Sequence, residues 1–419
     1  MGPAEAGFFP LDEELGLLPG ELSPTLEQGL VRLATWMPFE VAMQELSFFW
    51  QVPISEATVR RHAYVAGEAY VAVQTAEVER IEREHPPAPA GPAVQLVSAD
   101  GAMVPLVGGE WAEVKTLAIG TVEPIIQADG SLGARTRELS YFSRLTDAET
   151  FSHLALVEFH ARGTERAGLV VAPLDGSDWL QGLLDVHRPD AVRILDFPHA
   201  VQHLGVAAEA AFGVATGAAK AWLAEQAHDL KHADPAGVLA ALRALPAEVA
   251  ADPVAALQAR AATLGYLEKR REQLRYAEFQ AAGYPIGSGS VESANKLLVE
   301  ARLKGAGMHW ARRHVNPVLA LRTVACSGRW AEAWPQIAAE VRAQGWQRRV
   351  VRRQARRPAP AGPLPPPTPR GRGLVEPLRR LPPSPTPSIV KGRPTAQHPW
   401  KRQPLLAGGR AHAASHAKL

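Results

Sequence analysis

Tyr284-Pro285-Ile286-Gly287-Ser288-Gly289-Ser290-Val291-Glu292-Ser293-Ala294-Asn295-Lys296 reads as a Gly/Ser turn running directly into a helix. The first turn of that helix carries a lone carboxylate, Glu292. A helix N-terminus holds an acid rigidly, as a metal ligand must be held. Two other acids follow strand-like runs upstream. Asp100 comes after Val94-Gln95-Leu96-Val97-Ser98-Ala99, and Asp175 after Leu169-Val170-Val171-Ala172-Pro173-Leu174. Two strand-end aspartates and a later helix glutamate form the skeleton of a two-metal phosphoryl-transfer site.

The pattern extends outward in both directions. Ala99-Asp100-Gly101 is followed by Trp111-Ala112-Glu113-Val114-Lys115, and then by Leu174-Asp175-Gly176-Ser177-Asp178-Trp179. Ile194-Leu195-Asp196-Phe197-Pro198-His199-Ala200 precedes the Gly/Ser turn. Arg302-Leu303-Lys304-Gly305-Ala306-Gly307-Met308-His309-Trp310 and His398-Pro399-Trp400-Lys401-Arg402 follow it. Each motif alone is weak; six in this order are specific. Over most of its length the sequence resembles a DDE transposase of a bacterial insertion sequence, of the ISKra type.

The resemblance implies an RNase H-like mixed sheet and an enzyme that cuts phosphodiesters at the ends of its own element. The freed 3′-hydroxyl would then be joined to target DNA. It implies Mg²⁺ or Mn²⁺, two ions, on Asp100, Asp175 and Glu292. Double-stranded DNA is the partner, bound by a homo-oligomer. Within enzymes the alternative is a metal-dependent nuclease without strand transfer. Outside them it is a DNA-binding regulator of transposition with a dead site, against which the intact acid set argues.

The chemistry of the acids agrees with that expectation. Hard divalent ions favour oxygen ligands, and phosphoryl transfer needs in-line positioning with neutralised charge. Two carboxylates ~4 Å apart repel by about 4 kcal/mol at an effective dielectric of 20, so such a cluster is favourable only around a cation. Each acid also has an ordinary reading. Asp100-Gly101 and Asp175-Gly176 suit turns, Asp178 suits a helix cap, and Glu292 suits a surface acid paired with Lys296. The joint pattern outweighs these readings.

Asp196 also ends a strand-like run. In transposases resembling this chain, a Cys/Asp-xx-His pair lies downstream of the second catalytic acid. Asp196 is therefore read as accessory, with His199 as its hydrogen-bonding partner or a DNA contact. His199 and His203 have zinc-like spacing but lack a third ligand, so a structural role is favoured. Arg302 and Lys304 are candidate phosphate contacts, with solvated surface charge as the alternative. Trp310 and Trp330 are read as core residues rather than as platforms for a base. No Gly-rich phosphate loop is present, so no nucleotide cofactor is implied.

Segment by segment, residues 1–84 read as an all-helical domain. Pro38–Trp50 has helical apolar spacing, a break follows at 51–54, and Ser55 is read as the N-cap of the next helix. That outline is helix-turn-helix-like, with Arg60 and Arg61 as DNA-binding residues. Four prolines in 84–92 mark a stiff interdomain linker; it is placed at 85–93. Residues 94–346 form the catalytic domain, with strands at 94–99, 114–122, about 139–145, 168–174 and 191–196. Thr146-Asp147-Ala148-Glu149 suggests a capping box opening a helix at 147–162. Residues from about 200 to 281 lack strand signals and read as an all-helical insertion.

Residues 347–419 are a Pro/Arg-rich tail expected to be disordered. They carry 16 Lys plus Arg against one acid, Glu376; this +15 leaves −13 on the body, given +2 overall. A basic tail on an acidic body points to a polyanionic partner. No apolar run approaches the ~20 residues of a membrane span, and the N-terminus lacks a signal-peptide pattern. The single cysteine, Cys326, rules out an intrachain disulfide and reads as a buried apolar residue. Cytoplasm, at the nucleoid, is the expected location.

Overall fold

The computed structural model describes residues 22–355 apart from 128, 129 and 131, together with 389–390 and 393–394. The chain divides into a unit ending at Arg357 and a second starting at Pro358. In the second, Ile389–Val390 pairs antiparallel with Arg393–Pro394; the other residues of the Pro/Arg tail from 356 on lie outside the described residues.

Three helices come first: α1 (Pro24–Trp36), α2 (Phe39–Trp50) and α3 (Glu56–Glu84). Ser23 caps α1 and Ser55 caps α3, each accepting a backbone N–H from three residues on. A meander follows of β1 (Val94–Pro105), β2 (Trp111–Ile126) and β3 (Leu132–Arg144). Helix α4 (Ala148–Ala161) is capped by Asp147, which accepts from Thr150 N at 2.8 Å. The cap is thus one residue later than a Thr146 capping box would place it. Strand β4 (Leu169–Leu174), α5 (Asp178–His187) and β5 (Val192–Leu195) complete an α/β core.

The five strands form one mixed sheet in the order β3-β2-β1-β4-β5. The meander is antiparallel, while β4 pairs parallel with β1 and β5 parallel with β4. Period-two alternation sorts the strand side chains onto two faces. Val97, Ala99, Leu117 and Phe142 pack under α4 and α5 with Phe151 and Phe159. Ala102, Val104, Val114 and Ala118 face Val291, Ala294, Leu298 and Leu303 on the other side. Each large apolar side chain fully buried there contributes about 1.5–3 kcal/mol.

From Phe197 to Ala281 the chain is helical with no strand: α6 (Phe197–Phe212), α7 (Gly217–His232), α8 (Pro235–Arg243), α9 (Pro253–Lys269) and α10 (Tyr276–Ala281). These helices close their own core around Leu204, Leu242, Leu267 and Tyr276, anchored on Ile194 and Leu195 of β5. Then come α11 (Gly289–Asn295), a π turn at Lys296–Glu300, α12 (Ala301–Leu303), α13 (Arg312–Cys326) and α14 (Trp330–Ala355). The last helix runs nine residues past the expected start of the tail.

The N-terminal helices do not stand apart. Leu30, Val31, Leu46, Val59 and Ala66 share a core with Leu321, Val324, Trp334 and Ile337. At Gly67 an added Cβ would lie 2.3 Å from the Pro317 carbonyl oxygen, so only glycine lets α3 and α13 approach this closely. The Pro-rich segment expected to be a linker is packed down as well: Arg166 Nη1 donates to Ala88 O at 3.0 Å. Prolines stiffen the crossing without separating what it joins.

Arg302 and Arg322, both 2% exposed, bind the C-terminal end of α1. Arg302 Nε and Nη2 donate to Ala34 O at 3.3 Å. Arg322 Nη1 donates to Thr35 O at 2.8 Å. The last carbonyls of a helix lack intrahelical donors and carry partial negative charge, which two guanidinia 268 and 287 residues away satisfy. This corrects the expectation that Arg302 is a surface contact to phosphates: its guanidinium is buried, holding α1 against the segment that follows Glu292.

Candidate active site

Asp100 lies in the middle of β1, paired with Thr116 of β2. It therefore belongs neither to a turn nor to a strand end. The β1–β2 hairpin continues to Pro105 and Trp111, because the small and apolar residues after Gly101 feed the same core. Asp100 Oδ1 accepts from Gly101 N at 2.7 Å and Oδ2 from Asn295 Nδ2 at 2.9 Å. Asn295 is three residues beyond Glu292, on the same face of α11, so α11 brings Asn295 against Asp100 and carries Glu292 one turn away.

Asp175 follows the last residue of β4. Its Oδ1 accepts from Ser177 N at 2.8 Å, an Asx turn that leads into α5. Gly176 has φ +81°, and a Cβ there would meet Tyr266 Oη and Arg270 Nε, both at 2.6 Å. Those two residues clamp the loop from the helical segment 197–281. Tyr266 Oη donates to the Asp175 carbonyl, and Arg270 Nε donates to Gly176 O at 3.0 Å. Tyr266 is itself stacked on His203 with ring centroids 4.0 Å apart, while the Arg270 guanidinium lies 4.0 Å over its ring. His203 thus serves packing.

Glu292 is exposed, and its Oε1 accepts from Ser288 Oγ at 3.0 Å. Lys296 is not its ion-pair partner among the described contacts. Burial raises the Asp100 pKa; the Gly101 N–H opposes this, and the negative charges of Asp175 and Glu292 push it further upward. Asp175 and Glu292, from two other elements, thus both act on Asp100. Yet among the described residues no three His, Cys, Asp or Glu stand close enough to hold a metal ion as arranged. Their charges act on Asp100 without a shared coordination sphere.

Asp196 is 4% exposed. Its Oδ2 accepts from His199 N at 2.9 Å, capping α6, and its Oδ1 accepts from Ser288 N at 2.6 Å. It is bonded to the backbone of His199, whose imidazole takes no part in the pairing. Phe197 N donates to Ile286 O at 3.0 Å, so the end of β5 is stitched to the turn that aims Glu292. Both carboxylate oxygens of Asp196 are occupied by backbone, which suits a positioning role.

A cleft of about 480 Å³ opens beside Asp175, lined by Ser177, Asp178, His199, Tyr266 and Lys269. Two buried polar atoms around the acids lack a partner, Ser177 Oγ and Asn295 Oδ1. Unpaired oxygens beside carboxylates are donors of the kind a hydrated divalent ion takes, but as arranged the described acids do not form a metal-holding group. Lys115 is turned to the other face of the sheet, ion-paired with Glu113 and 5.4 Å from the Trp179 ring. Lys304 pairs with Glu300 at 2.9 Å. Arg60 and Arg61 lie on different sides of α3. Arg60 faces Trp310 and His314, whereas Arg61 faces Arg348 and Arg349.

Sequence reasoning missed Asn295, Ser288, Tyr266 and Arg270. The first two were detectable as i+3 and i−4 neighbours of Glu292. Tyr266 and Arg270 reach Asp175 and Gly176 from more than ninety residues away and left no local signal. Trp310 and Trp330 are 6% and 8% exposed, and Trp330 stacks on Trp334 in the helical core. No helix of the described residues is long and apolar enough to cross a membrane. Comparison with models of known protein families and with curated proteins yields no match.

Proposed function

We propose that this chain is a DDE-type transposase. It would cleave phosphodiesters at the ends of its own element and join the resulting 3′-hydroxyls to target DNA. The observation that carries the reading is that α11 sets Asn295 against Asp100 on the middle strand, one turn from Glu292, and that the charges of Asp175 and Glu292 both act on Asp100. The antiparallel meander joined to two parallel strands in the order β3-β2-β1-β4-β5 supports an RNase H-like core. The helical segment between Asp196 and Glu292 supports an insertion in that core.

Divalent ions, when bound by the three carboxylates, would neutralise charge on the reacting phosphate. The protein's own part is positional. Tyr266 and Arg270 fix the loop of Asp175, Asp196 fixes the turn before Glu292, and Asn295 orients Asp100. Glu292 is the exposed member of the three. The cleft beside Asp175, with Lys269 on its wall, would give a DNA strand access to that carboxylate.

The test is incubation of the full-length chain, with and without Mg²⁺, with DNA carrying the sequences that flank its coding region. Metal-dependent cuts at the element ends, followed by joined products, are expected. Cuts without joining would indicate a nuclease. Binding without cuts at any Mg²⁺ or Mn²⁺ concentration would indicate a regulator.

A further inference from the structure

A cavity of about 260 Å³ lies between α1 and α3 on one side and α14 on the other, with Arg61, Arg348 and Arg349 on its walls. None of its residues takes part in the arrangement around the acids. Among the described residues none of the three guanidinia has a carboxylate partner. Arg61 Nη2 donates to His62 Nε2 at 3.4 Å, and Arg348 Nε donates to Gln344 O of its own helix at 3.3 Å. Arg349 has neither an ion pair nor a hydrogen bond.

The one carboxylate on the cavity wall, Glu27, is already engaged. Glu27 and His62 are 4% and 6% exposed, and Glu27 Oε1 lies 2.6 Å from His62 Nδ1. A guanidinium only donates, so His62 Nε2 accepts from Arg61 and Nδ1–H donates to Glu27. Three guanidinia to one carboxylate leave a surplus of two positive charges around the cavity. Arginines along one exposed helix would be an ordinary solvated face. Arg61 facing two of them from another helix, beside a buried carboxylate, is a different arrangement.

The shape suits a small, highly charged ligand. Helix α14 presents Val341, Gly345 and the two arginines at i, i+4, i+7 and i+8, along one side. Glycine is unfavourable inside a helix, and Gly345 lines the cavity with no side chain to fill it. The volume is below the usual range for a whole small molecule, which favours a headgroup. Guanidinia match the oxygens of phosphate in paired hydrogen bonds. A diester carries one charge, whereas a terminal phosphate carries about two at neutral pH. We propose that this cavity binds a phosphate group with two negative charges, supplied by the 5′ end of a DNA strand or by a free phosphate compound. The inference rests on the arginines and stands apart from the DNA-cleaving reading.

The test follows the melting temperature of the full-length chain without divalent metal as inorganic pyrophosphate is added, against sodium chloride at matched ionic strength. A ligand held between α3 and α14 stabilises the fold, by about 3 °C at roughly a hundredfold excess over half-saturation. The double variant Arg61→Gln/Arg349→Gln should lose that shift. Gly345→Leu, which keeps every charge and fills the cavity, should lose it as well. The basic tail is the same in all of these proteins, so its contribution cancels. No shift in the wild type, or an equal shift in either variant that melts cooperatively, would overturn the site. Fluorescence anisotropy with one hairpin DNA, bearing a 5′-phosphate or a 5′-hydroxyl, then separates the sources. A gain of about tenfold for the phosphorylated form, lost in the same variants, assigns the site to DNA ends. Equal binding of the two forms, beside an intact pyrophosphate shift, assigns it to a free phosphate compound.

Discussion

The phenol of Tyr266 donates its hydrogen to the backbone carbonyl of Asp175, across 91 residues of sequence. The helical segment after β5 thus reaches back to hold the loop that presents Asp175. Tyr266→Phe removes the hydroxyl and keeps the ring stacked on His203. The cleavage rate should fall about 10–100-fold, as for other residues that orient a ligand, with DNA affinity unchanged. Equal losses in rate and affinity would mean that Tyr266 contacts DNA instead.

The elevated pKa of Asp100 has a consequence for stability. Its folded value lies above its unfolded one. Its contribution is therefore fully present below the ordinary Asp range and is lost as pH rises through the folded value. At neutral pH the metal-free protein carries the penalty of a charged Asp100. Asp100→Asn should raise the metal-free melting temperature at pH 7 by about 2 °C, what roughly 1 kcal/mol gives in a sizeable domain. The gain should shrink below pH 4. Mg²⁺ should stabilise the wild type and leave the variant unmoved, a contrast that thermal melts at two pH values would expose.

Cutting the chain after Ala355 leaves α14 whole and removes 12 Lys plus Arg against one acid. If those charges neutralise Z phosphates, log affinity falls with log salt at a slope near −0.9Z. The truncated protein should show a flatter slope and an unchanged preference for element ends over random DNA. An identical salt slope would show that the tail does not touch DNA.

Arg60 and Arg61 are neighbours in sequence but face different surroundings on α3. A single recognition surface would make Arg60→Ala and Arg61→Ala equivalent. The structure predicts that they differ. Arg60→Ala should change the preference for end over random DNA, and Arg61→Ala should weaken all duplexes alike as a phosphate contact does. Binding curves for each variant on end and random DNA separate the two outcomes.

Much of this was legible in residue patterns. Strand-like runs ending before Asp175 and Asp196 are β4 and β5, and Ser55 caps the helix it precedes. Asp100 was harder to place, because Asp-Gly reads locally as a turn and only pairing with Thr116 keeps the strand going. Arg302 looked like a surface cation because its partner, the Ala34 carbonyl, is 268 residues away. The prolines at 86–92 read as a linker and gave no sign that Leu30 and Val59 would share a core with Leu321 and Ile337. Local chemistry reports element type; contacts across such separations report which elements meet.

In the proposed reaction Asp100, Asp175 and Glu292 hold the metal while Asp196 only positions their frame. Measuring cleavage of end-bearing DNA over a Mg²⁺ titration for Asp175→Asn and Asp196→Asn tests it most directly. Asp175→Asn should bind DNA normally and show no cleavage at any Mg²⁺ concentration, because the reaction needs both ions. Asp196→Asn keeps one acceptor for the N–H groups of His199 and Ser288. It should cleave about 10–100-fold more slowly with an ordinary Mg²⁺ dependence. An inactive Asp196→Asn beside an active Asp175→Asn would contradict the assignment and make Asp196 the metal ligand.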